Sequence, residues 1–288
     1  MNQLLAKGPD RFLNNLAGVI LQFRNGRMAA KGDVRKMYNC IKLTKEDAFT
    51  QCFLWRDMNP NVDPVTYQVT VNNIGVKPAG AIATVAFHKN AELFSDKFPV
   101  TSQQLQQKSY VDDLGLTAKN LRVLKQRTEE ADQILSHANM RIKKWVYSGD
   151  KCGEVTIGET VSIGELDSGT ERMLGVLWEP GKDVFKFSIK INLSSLKNKT
   201  RTGPDLTKEM LQLDPPKIMT RRQYYSQVQS LFDPIGLLSP VLLRAKVLLR
   251  LTWEGECSAL NWDDPLPEDL VAKMVNFFLD LFVGCFYK

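Results

Sequence analysis

The run Tyr110-Val111-Asp112-Asp113 and the distant Asp33 are the residues of this chain best suited to chemistry. Aspartate oxygens are the ligands that hard divalent ions such as Mg²⁺ prefer. A pair of such ions can activate an attacking hydroxyl and hold the leaving group of a phosphoryl displacement. Adjacent side chains of one strand point to opposite faces, so the carboxylates of such a site must converge from different strands. A hairpin turn carrying Asp112-Asp113 beside a strand ending at Asp33 meets that demand. As bare residues, an Asp-Asp pair in a turn is more often simply solvated, so the reading depends on its surroundings. Besides these there are only His88 and His137, and five scattered cysteines (Cys40, Cys52, Cys152, Cys257, Cys285) that never fall in a Cys-x-x-Cys spacing. A zinc site or a histidine relay is therefore poorly supplied, and any metal chemistry rests on carboxylates.

The elements that would position these aspartates can be read from apolar periodicity. Phe12, Leu13, Leu16, Val19, Ile20 and Phe23 are spaced as one helix face, which Arg24-Asn25-Gly26 ends. Residues 28–34 read as a short buried strand with Asp33 near its end. Tyr67, Val69 and Val71 alternate on one face of a strand. A turn-rich loop, 75–80, then opens a helix over 81–94. The stretch 107–117 reads as a hairpin with a tight acidic turn. A long amphipathic helix over 121–138 follows, with Leu121, Leu124, Thr128, Ala131, Ile134 and Leu135 along one face.

Beyond Trp145 the pattern changes to glycine-punctuated strands at 155–157, 160–163, 173–178 and 184–187, with Glu179-Pro180-Gly181-Lys182-Asp183 a strong turn signal between the last two. The polar segment 197–216 is the best linker. From Thr220, with Gln223 in capping-box spacing, a helix runs to Phe232, stops at Asp233-Pro234-Ile235-Gly236 and resumes from Ser239-Pro240 to Trp253. The apolar stretch 277–287, interrupted by Asp280, falls well short of the roughly 20 residues needed to span a bilayer and reads as an amphipathic helix.

At 288 residues, with 43% hydrophobic and 24% charged residues, the chain is long and apolar enough to bury one large or two modest cores. Met1–Asp10 lacks the basic and apolar regions of a secretory signal. With the odd number of scattered cysteines this points to a reducing intracellular setting, with no membrane partner. The net charge of +6 is uneven: residues 186–250 hold twelve Lys or Arg against four acids. Such clustering suits a polyphosphate partner, although a solvated basic surface is an equal alternative.

The residues around the aspartates resemble the reverse transcriptases of long-terminal-repeat retroelements, most closely the BEL/Pao group. The likeness is to the reverse transcriptase region of a polyprotein of the Pao retrotransposon peptidase and reverse transcriptase family, truncated at both ends. Tyr110-Val111-Asp112-Asp113 resembles the Tyr-x-Asp-Asp box, and Lys31 to Tyr38 resembles the first-aspartate motif with its aromatic residue five positions after Asp33. Ile74-Gly75-Val76-Lys77-Pro78-Ala79-Gly80 resembles a template-supporting loop, Ile142-Lys143-Lys144-Trp145 a segment after the palm helix, and Leu174 to Pro180 a primer-gripping hairpin. Ser230 to Pro240, with Phe232-Asp233-Pro234-Ile235-Gly236, is similar to a distinctive BEL/Pao stretch.

The resemblance implies an RNA-directed DNA polymerase acting on an RNA or DNA template-primer duplex with deoxynucleoside triphosphates. It implies two Mg²⁺, for which Mn²⁺ can substitute, held by Asp33, Asp112 and Asp113 with the neighbouring Val34. Tyr38, Met37, Gly75 and Tyr110 would bind nucleotide, with Tyr38 as the gate against a 2′-hydroxyl, and Lys144 would protonate pyrophosphate. Gly175, Leu177 and Trp178 would grip the primer. Lys197, Lys199, Arg201, Arg221 and Arg222 would meet nucleic-acid phosphates.

The implied architecture is α+β: a right-hand polymerase palm with an antiparallel sheet and packed helices, then a mainly helical thumb. Residues 1–40 would start the palm, 41–78 form a reduced fingers insertion, 79–191 continue the palm, and 192–288 form the thumb. Two other readings stand beside it. Asp167-Ser168-Gly169 matches the core of an aspartic peptidase, although one copy exists where two aspartates must share a proton. The chain could also be a catalytically inactive nucleic-acid-binding remnant. Oligomeric state is left open by the sequence.

Overall fold

The computed structural model describes residues 2–9, 12–149, 170–187, 189–194, 196–197, 200–201, 203–282 and 286–287. By contacts the chain divides into two units, Met1–Asp150 and Lys151–Lys288. The division does not fall in the segment 197–216 expected as a linker.

Unit 1 is built on an antiparallel sheet of strands β1 (Met28–Val34), β4 (Ser109–Tyr110), β5 (Asp113–Ala118) and β6 (Ile142–Tyr147), in the order β4-β5-β1-β6. Ahead of β1, helix α1 (Leu16–Phe23) begins where the Asn15 side chain accepts from Gly18 N–H, later than the apolar rhythm from Phe12 suggested. Between β1 and β4 lie α2 (Lys45–Phe49), the hairpin β2 (Cys52–Trp55) and β3 (Val65–Gln68), then α3 (Ala79–Glu92) and α4 (Pro99–Gln107). The long helix α5 (Leu121–His137) follows β5, capped by the Asn120 side chain on Val123 N–H.

Strand β1 alternates as the period of two requires. Ala30, Gly32 and Val34 are buried, while Lys31 and Asp33 on the other face are partly exposed. The buried face packs with Phe87, Leu105, Leu124 and Ile134 of the helices. Burying each side chain of that size contributes about 1.5–3 kcal/mol. Gly32 has to be glycine, because a Cβ there would lie 2.7 Å from the Trp145 ring. The β2–β3 hairpin, by contrast, is exposed along both strands, with Phe53 stacked on Tyr67 at 5.7 Å between ring centroids.

Unit 2 carries a second antiparallel sheet: β7 (Glu171–Met173), β8 (Val176–Glu179), β9 (Val184–Lys186) and, far along the chain, β12 (Phe286–Tyr287), in the order β12-β9-β8-β7. The segment expected as one strand over 173–178 is broken by a turn. Leu174 (φ +51) and Gly175 (φ +86) both take positive φ, the signature of a tight hairpin. The expected linker instead holds the short pair β10 (Leu196–Lys197) and β11 (Thr200–Arg201) and helix α6 (Lys208–Leu213).

Helix α7 (Arg221–Ser230) starts with the full Thr220–Gln223 capping box, and α8 (Ser239–Leu251) and α9 (Glu268–Leu281) complete the unit. Between α7 and α8 the Asp233 carboxylate accepts from the N–H groups of Leu237 and Leu238 at 3.0 and 2.7 Å, which explains the turn of the Phe-Asp-Pro-Ile-Gly run. Tyr224, Val228, Met274, Phe277 and Phe278 form the heart of this core. No helix among the described residues is long and apolar enough to cross a membrane.

Candidate active site at the aspartate hairpin

Asp33, next to last in β1, is the direct cross-strand partner of Asp113, the first residue of β5. Residues opposed in this way project to the same face with Cβ atoms about 4.5–5.5 Å apart. The Val34 N–H donates to the Asp112 carbonyl at 2.9 Å, so β1 is stitched to the turn itself. Tyr110 pairs with Asp113, which leaves only Val111 and Asp112 in the turn. Val111 sits at φ +54, a region that costs an L-residue about 1–2 kcal/mol and that β-branched residues avoid. Strain of this kind persists where neighbouring bonds over-determine the backbone, and the bond from β1 to Asp112 does so here.

Two carboxylates directly opposed across a sheet repel one another unless a cation sits with them. Asp33 Oδ1 is buried and makes no hydrogen bond of good geometry. Among the described residues it pairs with the Lys143 ammonium at 2.7 Å, an ion pair set by distance rather than by hydrogen-bond angle. The lysine expected to protonate pyrophosphate is Lys144, but the lysine that pairs with Asp33 is its neighbour. The β1–β6 register runs Gly32 to Trp145 but Val34 to Ile142, so a bulge sets both lysines against Asp33, and it is Lys143 that reaches it. Lys144 is exposed.

Tyr38 lies on a short 3₁₀ turn, Met37–Cys40, entered through Lys36 in the left-handed conformation. Burial first, and then the Asp112 carboxylate, push its phenol above the usual tyrosine range. A Cβ on Gly80 would stand 3.7 Å from the Tyr38 hydroxyl, so the start of α3 borders it as well. Met37 was expected to touch nucleotide, yet it is 2% exposed in the unit 1 core and cannot. Gly75 takes φ +96 with open space where a Cβ would stand; its carbonyl accepts from the Asn2 amide at 2.7 Å. Glycine is needed there for the backbone angle rather than for a close approach.

No group of three His, Cys, Asp or Glu side chains among the described residues forms a ready cation cage. Mg²⁺ is commonly held by one or two carboxylates, with waters and substrate phosphates completing the shell. Asp33, whose buried oxygen has Lys143 as a cation neighbour, and the aspartates of the hairpin are the hard oxygen donors that an ion bound in that manner takes.

In unit 2, Gly175 and Leu177 line a cleft of about 350 Å³ together with Arg172, Lys190 and Phe232. A Cβ on Gly175 would come within 2.7 Å of the Phe232 ring, so the β7–β8 turn and the Phe-Asp-Pro-Ile-Gly run are fitted together. Trp178 does not join the cleft as a gripping residue. It is fully buried, with its indole N–H donating to Asp183 at 3.0 Å.

Arg221 is likewise corrected. It is 4% exposed, donates to the carbonyls of Thr252, Cys257 and Leu260, and lies over the Trp253 ring. It ties α7 to the segment after α8 instead of facing phosphate. Arg222 is exposed but paired with Asp263 at 2.7 Å. Lys197 and Arg201 lie on the β10–β11 pair, while Lys199 and Asp167 fall outside the described residues. The positions of Lys143 and Arg221 were missed because a bulge and a buried arginine leave no mark in periodicity or charge counts.

Residues 220–281, within unit 2, match the model of a family described as the Pao retrotransposon-like RNaseH-like domain. Over that segment the chain is similar to Pao-type retrotransposon proteins. No curated protein matches the chain.

Proposed function

We propose that the chain carries the polymerising centre of a retrotransposon reverse transcriptase, an RNA-directed DNA polymerase whose palm is unit 1. The observation that carries this reading is the register that sets Asp33 opposite Asp113 while Val34 holds the Asp112 carbonyl. Asp33, Asp112 and Asp113, with the Val34 backbone alongside, would hold Mg²⁺ or Mn²⁺. When bound, the ions supply activation of the primer 3′-hydroxyl and stabilisation of the leaving pyrophosphate.

The chain's own residues do the positioning. Lys143 balances the charge of Asp33, and Tyr38, beside Gly80, would close the space a 2′-hydroxyl needs. The strained Val111 turn aims Asp112 without needing to reorganise. Residues 192–288 are assigned to a thumb by their order along the chain and their helical content. The RNaseH-like description of 220–281 is the competing assignment for that region. Asp263, Asp269 and Asp280 within it are each paired with a cation. A peptidase role for Asp167 has no support.

Primer extension on a poly-rA template with an oligo-dT primer, dTTP and Mg²⁺ tests the proposal. Wild type should incorporate dTTP, and Asp112→Asn should lose at least about 10²-fold, the scale of removing one preorganised electrostatic stabiliser. Tyr38→Ala should relax exclusion of UTP by roughly 10- to 200-fold. Equal incorporation by wild type and Asp112→Asn, with duplex still bound, would leave the inactive nucleic-acid binder as the correct reading.

A further inference from the structure

The opposite end of the unit 1 sheet has a charge character of its own. Arg27 precedes β1, whose first residue Met28 pairs with Ala118 of β5. Lys119 follows Ala118, and Asn120 then starts α5, so Arg122 and Lys125 leave one face of its first turns. Two more cations turn in on the same point: the Lys108 ammonium donates to the Thr117 hydroxyl, and the Arg127 guanidinium donates to the Thr117 carbonyl. At about 3.3 Å per strand residue, Thr117 lies roughly 13 Å from Asp113.

None of these six cations is ion-paired among the described residues. The acids of α5 do not neutralise them. Glu130 accepts from Thr101 and Gln126 at 2.5 and 2.9 Å, Asp132 from the Trp145 indole at 3.1 Å, and Glu129, a turn beyond Lys125, pairs with none of them. Burial, then the neighbouring Arg127, hold the Lys108 ammonium below the usual lysine range. Half-buried like charges side by side repel one another, and the positive end of the α5 dipole adds to the local positive potential.

We propose that this end of unit 1 binds the sugar-phosphate backbone of nucleic acid without regard to sequence, as a surface separate from the aspartates at the other end of the sheet. Arg122 and Lys125, about 4.5 Å apart along the helix axis, and the cations of the strand ends can meet successive phosphates. An acidic polypeptide is the lesser fit. Of the large hydrophobic side chains in residues 117–127, only Leu121 is exposed, so the patch lacks the aromatic anchors that tighten protein interfaces.

Binding of a labelled poly-rA/oligo-dT duplex to the full chain, measured in EDTA across a salt series, tests this apart from catalysis. Replacing Lys119, Arg122 and Lys125 by Gln should make the slope of log affinity against log salt shallower by about 2 to 3. The control triple Lys42→Gln, Lys45→Gln, Arg56→Gln makes the same charge change in the α2–β3 segment and should leave the slope near wild type. Asp112→Asn should bind as wild type does, so a failed polymerase assay leaves this result readable. An unchanged slope in the first triple, or an equal change in the control, would overturn the proposal. So would displacement of the duplex by poly-glutamate as readily as by unlabelled duplex, which would reassign the surface to an acidic protein.

Discussion

The two units invert the charge picture that the linear sequence draws. Residues 186–250, inside unit 2, hold twelve Lys or Arg against four acids, yet unit 2 as a whole has 17 cations against 18 acids. Unit 1 has 21 against 14. The use made of those cations differs as well. In unit 2, Arg221 is buried against carbonyls, and Lys186, Arg222, Arg244 and Arg250 are each paired with a carboxylate. In unit 1 the cations around Thr117 have no acidic partner among the described residues. A run of basic residues is thus a poor guide to a basic surface, because folding decides which charges are spent internally.

The sharpest way to break that contrast is Arg221→Met. Leaving several buried carbonyls without their donor should destabilise unit 2 by roughly 3 kcal/mol in urea unfolding. It should leave the salt dependence of duplex binding unchanged, and a shallower slope would return Arg221 to the nucleic-acid surface. Two glycine substitutions come next. Gly175→Ala adds a clash with Phe232 to an unfavourable φ and should cost about 2 kcal/mol or more, whereas Gly75→Ala meets only open space and should cost about 1–2 kcal/mol. Equal losses would mean that the fit between the β7–β8 turn and Phe232 contributes nothing.

The smallest effect concerns pH. Burial holds the His88 imidazole below the usual histidine range, so the unfolded chain takes up this proton more readily than the folded one. Stability of unit 1 should therefore rise with pH from the folded His88 value up to about 6.5, and His88→Gln should flatten that part of the profile. An identical profile in the variant would contradict the assignment.

The local signals were the legible ones. The Thr220–Gln223 capping box, the strand ending near Asp33, the hairpin around Asp112 and the helix along Leu124, Thr128, Ala131 and Ile134 follow from side-chain chemistry within a few residues. What the sequence hid depends on partners elsewhere in the chain. Only the bulge in β6 decides between Lys143 and Lys144, and only the carbonyls after α8 turn Arg221 inward. Leu174 at positive φ breaks the strand that the apolar run 173–178 suggests, and Met37 and Trp178, which the motifs suggest as contact residues, are taken up by the core. The Asp33–Asp113 pairing was inferable as chemistry but not as register, since a slip of one residue would send Asp33 to the helix side.

The central claim is that this register makes a divalent-cation site, and Mn²⁺ binding followed by electron paramagnetic resonance tests it most directly. With template-primer duplex and a non-reactive deoxynucleoside triphosphate analogue present, the wild-type chain should bind Mn²⁺ that Mg²⁺ competes away. Asp33→Asn and Asp112→Asn should each lose that binding while keeping the fold. Equal Mn²⁺ binding by wild type and both variants would contradict the account.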